Sequence, residues 1–373
     1  MTTRPQPPHH SGRKANINIV TQNMNGLTAP SSDMNFLEKW AMVNKTLNQS
    51  KVAILALQET HLDQEIIDRL HRSFGDKMEI IFSADPSSPR STAGVAFVIN
   101  KKRIAPKEWS VHELIPGRAL FLRIKWHESE STSLLNIYAP THKPSHKPFW
   151  DRICSKHREK RLQLPDFMLG DFNITEDPID RAPNHPDDQA AVEALREIRT
   201  AWDLQDAWRH LNPGTCAYTY RASANGQQIQ SRLDRIYVAK RLIPHTFDWA
   251  IKQSPIPTDH WMVKVKYAPK DAPYIGKGRW TWPLHLLGND NLLDAISERG
   301  IQLQGDLNNL KENNTERTLS NPQRLWEKYK LDIKELATKY NRNSYHKIST
   351  RITLLEKDRQ QLSEHPNFHD VTI

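Results

Sequence analysis

The sequence predicts an α/β fold with α+β features: a layered sandwich of mixed sheets followed by a helical extension. Three observations carry this. Short Val- and Ile-rich runs alternate with helix-period segments from Ile17 to about residue 268. Some consecutive runs are joined by hairpin-type turns, which a purely parallel sheet does not use. After Pro269 the strand rhythm stops and two long helical stretches follow.

The elements follow in order. NINIV (16–20) and VAILAL (52–57) are short apolar runs, and between them Phe36, Leu37, Trp40, Val43 and Leu47 recur at helical spacing. Ser32 or Asp33 is placed to cap that helix. A helix over 63–73 and strands at 79–83 and 93–99 come next. LFLRIKW (120–126) alternates as a half-buried strand does, with Leu122, Ile124 and Trp126 opposite Arg123 and Lys125. LLNIY (134–138), a helix over 147–163, FMLGD (167–171) and a helix over 187–200 continue the series. AYTYR (217–221) and IQSRLDRIYV (229–238) flank SANGQ, whose Asn225-Gly226 is a strong hairpin signal. WMVKVKY (261–267) alternates again. Residues 1–16 read as a disordered tail, 17–268 as one domain, and 269–373 as a linker and helical segment. The helices there, 290–312 and 322–362, carry apolar stripes such as Leu325, Trp326, Tyr329 and Leu336.

Composition narrows the function classes. The 373 residues are 37% hydrophobic and 25% charged, enough for one sizeable core and a polar remainder. No apolar stretch approaches the roughly 18–20 residues of a membrane helix. The N-terminus, MTTRPQPPHHSGRK, lacks the apolar middle of a secretory signal. Cys154 and Cys216 alone make no disulfide framework, so a reducing, intracellular setting is expected. The net charge of +9 is compatible with a polyanionic partner, but only +4 of it belongs to residues 17–269. Charge therefore supports nucleic acid weakly, and motifs must decide.

Polar residues stand where the apolar strands stop. Asn23 and Asn25 follow the first strand, Gln58 and Glu59 the second, and Tyr138 ends LLNIYAP. Asp171 and Asn173 follow FMLG, Asp234 lies inside SRLDRIYV, and Asp259 and His260 precede the last strand. Site residues of sheet proteins gather at strand ends, where loops converge. These types permit metal-assisted attack on a phosphodiester. Glu59 with Asn25 or Asp259 offers oxygen ligands to a hard divalent cation. An aspartate beside a water can orient or deprotonate it. A second aspartate bonded to a histidine raises its pKa, so the imidazolium can bind a phosphate oxygen. Tyrosine and asparagine can donate to developing charge. Cysteine and histidine at zinc spacing are not found. Singly, each motif has an ordinary reading as a turn, a helix start or a surface corner. Asp234 is the exception, because a carboxylate in an apolar strand needs a partner, and Arg232 or Arg235 would also serve.

Taken in order, QNMNG, QETH, AGVAFVI, NIYAP, GDFN, SRLD and TDH resemble the endonuclease/exonuclease/phosphatase superfamily of DNase I and the apurinic endonucleases. The likeness covers about 17–268 and is strongest to the endonuclease domain of LINE-type (non-LTR) retrotransposons. It implies a four-layer α/β sandwich of DNase I-like type with its site at one edge of two packed sheets. It also implies a Mg²⁺-dependent endonuclease, with Mn²⁺ as the alternative ion. Such an enzyme nicks DNA by water attack, as in target-primed retrotransposition. DNA is then the partner, with a monomeric state and a nuclear address expected. On this resemblance Glu59 ligates the metal, with Asn25 and Asp259 in its shell. Asn23 positions the phosphate, Tyr138 contacts it, Asp171 activates the water, and Asn173 holds the water or the transition state. Asp234 orients His260, which stabilises the charged phosphorane, and Arg232 adds a phosphate contact. The loop Ser223–Gln230, with Ser223, Asn225 and Gln227, matches a region that reaches into the DNA minor groove in LINE endonucleases.

Three positions depart from the pattern. Asn25 stands where apurinic endonucleases carry Asp, and a neutral ligand there should hold Mg²⁺ less tightly. Trp261 follows His260 where a small residue is usual, and Thr258 replaces the commoner Ser. Beyond 269, YIGKGRWTWP resembles the linker of LINE polyproteins, especially fungal ones, where a reverse transcriptase follows; a truncated element product is the expectation. The rival readings are a small-molecule or lipid phosphatase of the same fold and an inactive relic.

Overall fold

The computed structural model describes residues 13–26, 35–104, 108–127, 130–224, 227–275, 280–312 and 321–364. The chain divides into two compact units, Met1–Ile275 and Gly276–Ile373.

The first unit is built on two six-stranded sheets. One runs, in spatial order, Thr246–Lys252, Met262–Tyr267, Ile17–Asn23, Ile54–Gln58, Val95–Asn100, Met78–Ser83. The other runs Leu204–Asp206, Asp234–Ala239, Phe167–Asp171, Glu130–Tyr138, Ala119–His127, Glu108–Ile115. Each sheet has one parallel pair at its middle. Ile17–Asn23 lies parallel to Ile54–Gln58, with Asn23 opposite Gln58. Glu130–Tyr138 lies parallel to Phe167–Asp171, with Tyr138 opposite Asp171. A parallel pair needs a crossover, and the helices Phe36–Gln49 and His146–Glu159 provide the two. Both crossovers leave the C-terminal strand ends of their sheet at one edge, and that edge holds the polar residues singled out above.

The period of two sorts side chains into layers. Ile19, Phe97, Phe121, Leu135, Phe167 and Val265 are buried in one core to which both sheets contribute. Their strand neighbours Val20, Leu55, Leu57 and Val98 turn the other way and meet Trp40 and Leu70 of the helices Phe36–Gln49 and Gln64–Phe74. Trp150, Ile153, Leu195 and Ile198 bring the helices His146–Glu159 and Gln189–Ala201 onto the second sheet. The result is the helix–sheet–sheet–helix sandwich that the sequence predicts.

Details differ from the sequence reading. The cap of the first helix is Asn35: its Oδ1 accepts from Glu38 N at 3.1 Å, and Glu38 Oε2 accepts from Asn35 N at 3.0 Å. Ser32 and Asp33 lie outside the described residues. Arg13–Lys14, placed in the tail by composition, pairs antiparallel with Tyr274–Ile275. The hairpin is present as Tyr220–Ala224 and Gln227–Ser231, with Ala224 opposite Gln227; Asn225-Gly226 lies outside the described residues. In the second unit the helices Asp290–Glu312 and Pro322–Glu364 share a small core of Leu286, Leu292 and Ala337. Among the described residues no helix is long and apolar enough to cross a membrane.

Candidate active site

The edge where both parallel pairs end gathers most of the expected residues. Asn23 is the hub. Its Nδ2 donates to Glu59 Oε1 at 2.8 Å and to Asp171 Oδ2 at 3.0 Å, bridging the two sheets. Its Oδ1 accepts from Asn25 N at 2.8 Å. Asn25 Nδ2 in turn donates to Asp259 Oδ1 at 3.0 Å, and Thr258 Oγ1 donates to Asn23 O at 3.0 Å. One bonded chain thus links Glu59, Asn23, Asn25 and Asp259.

The second sheet supplies the other half. Asp171 is buried, and Asn173 N donates to its Oδ1 at 2.9 Å. Asn173 Nδ2 donates to Ala139 O at 2.9 Å, fixing the turn that follows the strand. Asp234 lies opposite Asp171 in the antiparallel ladder. Its Oδ2 is 2.7 Å from His260 Nδ1. The carboxylate that the sequence left with three candidate partners therefore pairs with the histidine. Ligand atoms of Asp171, Asp234 and His260 lie within 4.8 Å of one another.

Backbone strain accompanies these side chains. Asn25, Glu59 and Asn173 all have left-handed φ angles, +51°, +49° and +52°. Asparagine tolerates that region, whereas glutamate does so rarely. Such strain costs on the order of 1–3 kcal/mol per residue and clusters at functional sites. Gly170 is equally specific. Its φ is +145°, and a Cβ there would meet Ile137 O at 1.9 Å. The Tyr138 and Asp171 strands can lie side by side only with glycine at this point.

Burial and charge set the protonation states. Burial first, then the charge of Asp234, pushes the Asp171 carboxyl up to about 6. Burial pulls the His260 imidazole down, but the Asp234, Asp171 and Asp259 carboxylates outweigh it and raise it to about 10. His260 is thus a cation across the neutral range. Burial raises the Tyr138 phenol, with the charges of Glu59 and Asp171 adding to it. Tyr138 stays a neutral donor.

Arg232 is not brought to this edge. It is 2% exposed, its Nε and Nη2 each 2.7 Å from Asp180 and its Nη2 2.7 Å from Asp206. Arg209 also pairs with Asp180, so the cluster is a buried ion network rather than a phosphate contact. Although burial opposes it, the arginines hold the Asp180 carboxyl below its ordinary range. Arg232→Ala would take the arginine from buried Asp206 and one of the arginines from buried Asp180, at about 3–5 kcal/mol. We expect melting to fall by roughly 10 °C or more, measured by circular dichroism; a stable variant with weaker DNA binding would restore the phosphate role. Ser223 is exposed on the hairpin, and Gln227 begins its returning strand.

Two cations here were missed. Lys39 reads as one more polar residue of an amphipathic helix, yet it is fully buried, donating through Nζ to Met24 O at 2.6 Å and Gly26 O at 2.9 Å. It staples the loop carrying Asn25. Burial lowers its ammonium to about 8, against the pull of Asp259 and Glu59. The other is Arg118, whose guanidinium lies over the Tyr138 ring, 5.1 Å from its centroid. Tyr220, on the hairpin, sets its ring 4.9 Å from that of His260. None of these follows a strand in an oddly polar motif, so strand-end reading passes over them.

A two-sheet sandwich with carboxylates, amides and an aspartate-bound imidazolium at one edge defines a class, the phosphate-ester hydrolases. The chain belongs to the endonuclease/exonuclease/phosphatase family, whose model matches residues 20–260. It is an enzyme of the phosphodiester hydrolase type. Among curated proteins it is similar to the transposon TX1 uncharacterized 149 kDa protein of Xenopus laevis, 28% identical over 284 residues. That match takes in 76% of this chain, which spans about a fifth of the relative's length. Among solved structures it is similar to the endonuclease domain of TRAS1, a telomere-specific non-LTR retrotransposon, with TM-score 0.50 and 15% identity over 68% of this chain and 100% of that one. The AP endonuclease LMAP of Leishmania major gives 0.55 and 17% over 68% and 88%. A 3′ phosphatase, NExo from Neisseria, solved with product DNA hairpin, gives 0.53 and 18% over 68% and 100%. The DNase I-like fold expected from the motifs is found, and the curated relative is a transposon protein.

Proposed function

We propose that the chain is a divalent-metal-dependent DNA endonuclease that nicks one strand by water attack, leaving a 3′-hydroxyl able to prime synthesis. The observation that carries it is the buried Asp171 carboxylate, held by Asn23 and Asn173 N and lying beside the Asp234–His260 pair. The names of the similar proteins, retrotransposon and AP endonucleases among them, support DNA as substrate. Residues 17–268 form the nuclease unit in this reading, and 269–373 a linker of the kind that precedes a reverse transcriptase.

The donor set fits a hard cation. Glu59 and Asp259 bring carboxylates and Asn25 an amide, all oxygen ligands joined through Asn23. The trio Asp171, Asp234 and His260 fits less well, because its imidazole is spent on Asp234 and carries positive charge. Glu59, with Asn25 and Asp259, would hold Mg²⁺ or Mn²⁺, which would supply Lewis-acid charge to the reacting phosphate. The chain's own groups do the rest. Asp171 takes the proton of the attacking water, and Asn173 orients that water. His260, held charged by Asp234, donates to a non-bridging oxygen as charge accumulates. Tyr138, a neutral donor, donates to the same phosphate.

Supercoiled plasmid, Mg²⁺ and low salt provide the test. Wild type should produce nicked circles, and Asp171→Ala and His260→Ala should not. Intact plasmid alongside hydrolysis of a small phosphate ester would hand the site to the phosphatase reading. The pH dependence is also set. A base must be ionised, so activity rises as pH passes about 6, the Asp171 range. The imidazolium must keep its proton, so activity falls near 10, the His260 range. A rate still climbing through pH 10 would remove His260 from this role.

A further inference from the structure

The hairpin of Tyr220–Ala224 and Gln227–Ser231 is a narrow ribbon. Two strands alone are marginal, so the direction of such a ribbon is set where it is rooted. On one side Arg181–Ala182 braces the root, pairing with Ser231 and Gln230. On the other side the root meets the segment that carries His260. Tyr220 stands opposite His260 in an isolated antiparallel bridge, and Trp261 N donates to Thr219 O at 2.7 Å. Among the described residues no third strand pairs with the ribbon beyond Tyr220 and Gln230.

The bridge sorts side chains onto two faces. Tyr220 and His260 share one, their ring centroids 4.9 Å apart. Arg221 and Trp261 share the other as diagonal neighbours, and the guanidinium lies over the indole, 4.7 Å from its centroid. Arg221 is exposed and Trp261 half-buried. Tryptophan offers the best face for a cation, and the planar guanidinium stacks flat on it. Trp261 is also one of the three departures from the family pattern, and a small residue in its place would remove this contact.

We propose that Trp261 and Arg221 latch the hairpin to the His260 segment, fixing the tilt of the ribbon against the DNA and so which positions are cut. Both are positioning residues: the latch orders the ribbon, while Asp234 holds His260. This deepens the endonuclease reading and rests on it for the choice of cut site.

Two readouts test it, one of them without DNA. Hydrogen exchange of the free protein reads the ribbon directly. In Trp261→Ser and in Arg221→Gln the amides of Tyr220–Ala224 should exchange about two- to fivefold faster, the worth of one cation–π contact. Trp261→Phe, which keeps a ring, should stay near wild type. Nick positions on supercoiled plasmid, mapped by primer extension, give the second readout. Both variants should redistribute nicks among sites by roughly threefold and in the same direction, with total nicking within about threefold of wild type. The double variant should add nothing to either single change, because both remove one contact. A phosphate contact made by Arg221 itself would instead flatten the salt dependence of DNA binding in Arg221→Gln alone, and that outcome overturns the latch. So would unchanged exchange, additive effects, or a uniform loss of rate with the nick pattern kept. Melting temperatures should stay within about 2 °C of wild type; if Trp261→Ser melts early, Arg221→Gln, at an exposed position, carries the test. If wild type leaves plasmid intact, the endonuclease reading falls, and the exchange result alone upholds or overturns the latch.

Discussion

Asp234→Asn is expected to lower nicking at neutral pH by roughly 10²–10³-fold, and to move the optimum toward acid. In the wild-type protein burial alone would depress the His260 imidazole; the Asp234 carboxylate reverses that and lifts it to about 10. With an amide in its place the largest raising charge is gone and the ring titrates lower, although Asp171 and Asp259 still pull it up. Asp234 is also the second cause, after burial, of the raised Asp171 carboxyl, so that group moves down as well. Wild type is expected to work between about 6 and 10, and the variant should lose its charged ring at lower pH than wild type does. Stability follows the same sign. A histidine raised on folding contributes stability fully present below about 6.5 and lost as pH rises through its folded value. The melting gap between wild type and variant should therefore close in alkali. A variant profile that is lowered uniformly, with no acid shift, would reduce Asp234 to an orienting role.

Gly170→Ala should be the most destructive glycine-to-alanine change among the described residues. The clash at 1.9 Å is with a backbone oxygen, Ile137 O, so no flexible side chain can swing aside. The φ of +145° adds strain of its own. Relief requires parting the parallel pair whose ends carry Tyr138 and Asp171. We expect destabilisation at the exceptional end of single substitutions, about 4–5 kcal/mol, and melting lower by roughly 10 °C or more. Soluble yield and a thermal scan measure it. Melting within a degree or two of wild type would show that the strands can separate there at no cost.

What was legible in the sequence, and what was not, divides along burial. Interior strands such as Ile54–Gln58 and Phe167–Asp171 are wholly buried and announce themselves as apolar runs. The strands Glu108–Ile115 and Thr246–Lys252 went unread. Both are sheet edges that bury little, and the second carries a register shift between Phe247 and Ala250. The site was legible because polar groups in apolar company are conspicuous. Its charge partners were not. Arg232 meets Asp180 and Asp206, 52 and 26 positions away, and no local pattern records a pairing at such range. Lys39 illustrates a related limit: a lysine on an amphipathic helix is buried because the loop at Met24 and Gly26, 15 and 13 positions earlier, takes its ammonium.

The division of the site between the sheets has a further consequence. Glu59, Asn25 and Asp259 belong to strand ends of one sheet, and Tyr138, Asp171 and Asp234 to strand ends of the other. At the site, the side-chain bonds of Asn23 to Asp171 and His260 to Asp234 span the seam, and deeper in, Gln58 to Asn136 spans it too. Catalysis then works as a gauge of alignment between two plates. A cavity opened far away in the shared core, for instance at Phe121 or Leu135, would let one plate slip against the other by a fraction of an ångström. Turnover would register that slip while the secondary structure of both sheets stayed whole, so loss of nicking should precede loss of fold as temperature rises.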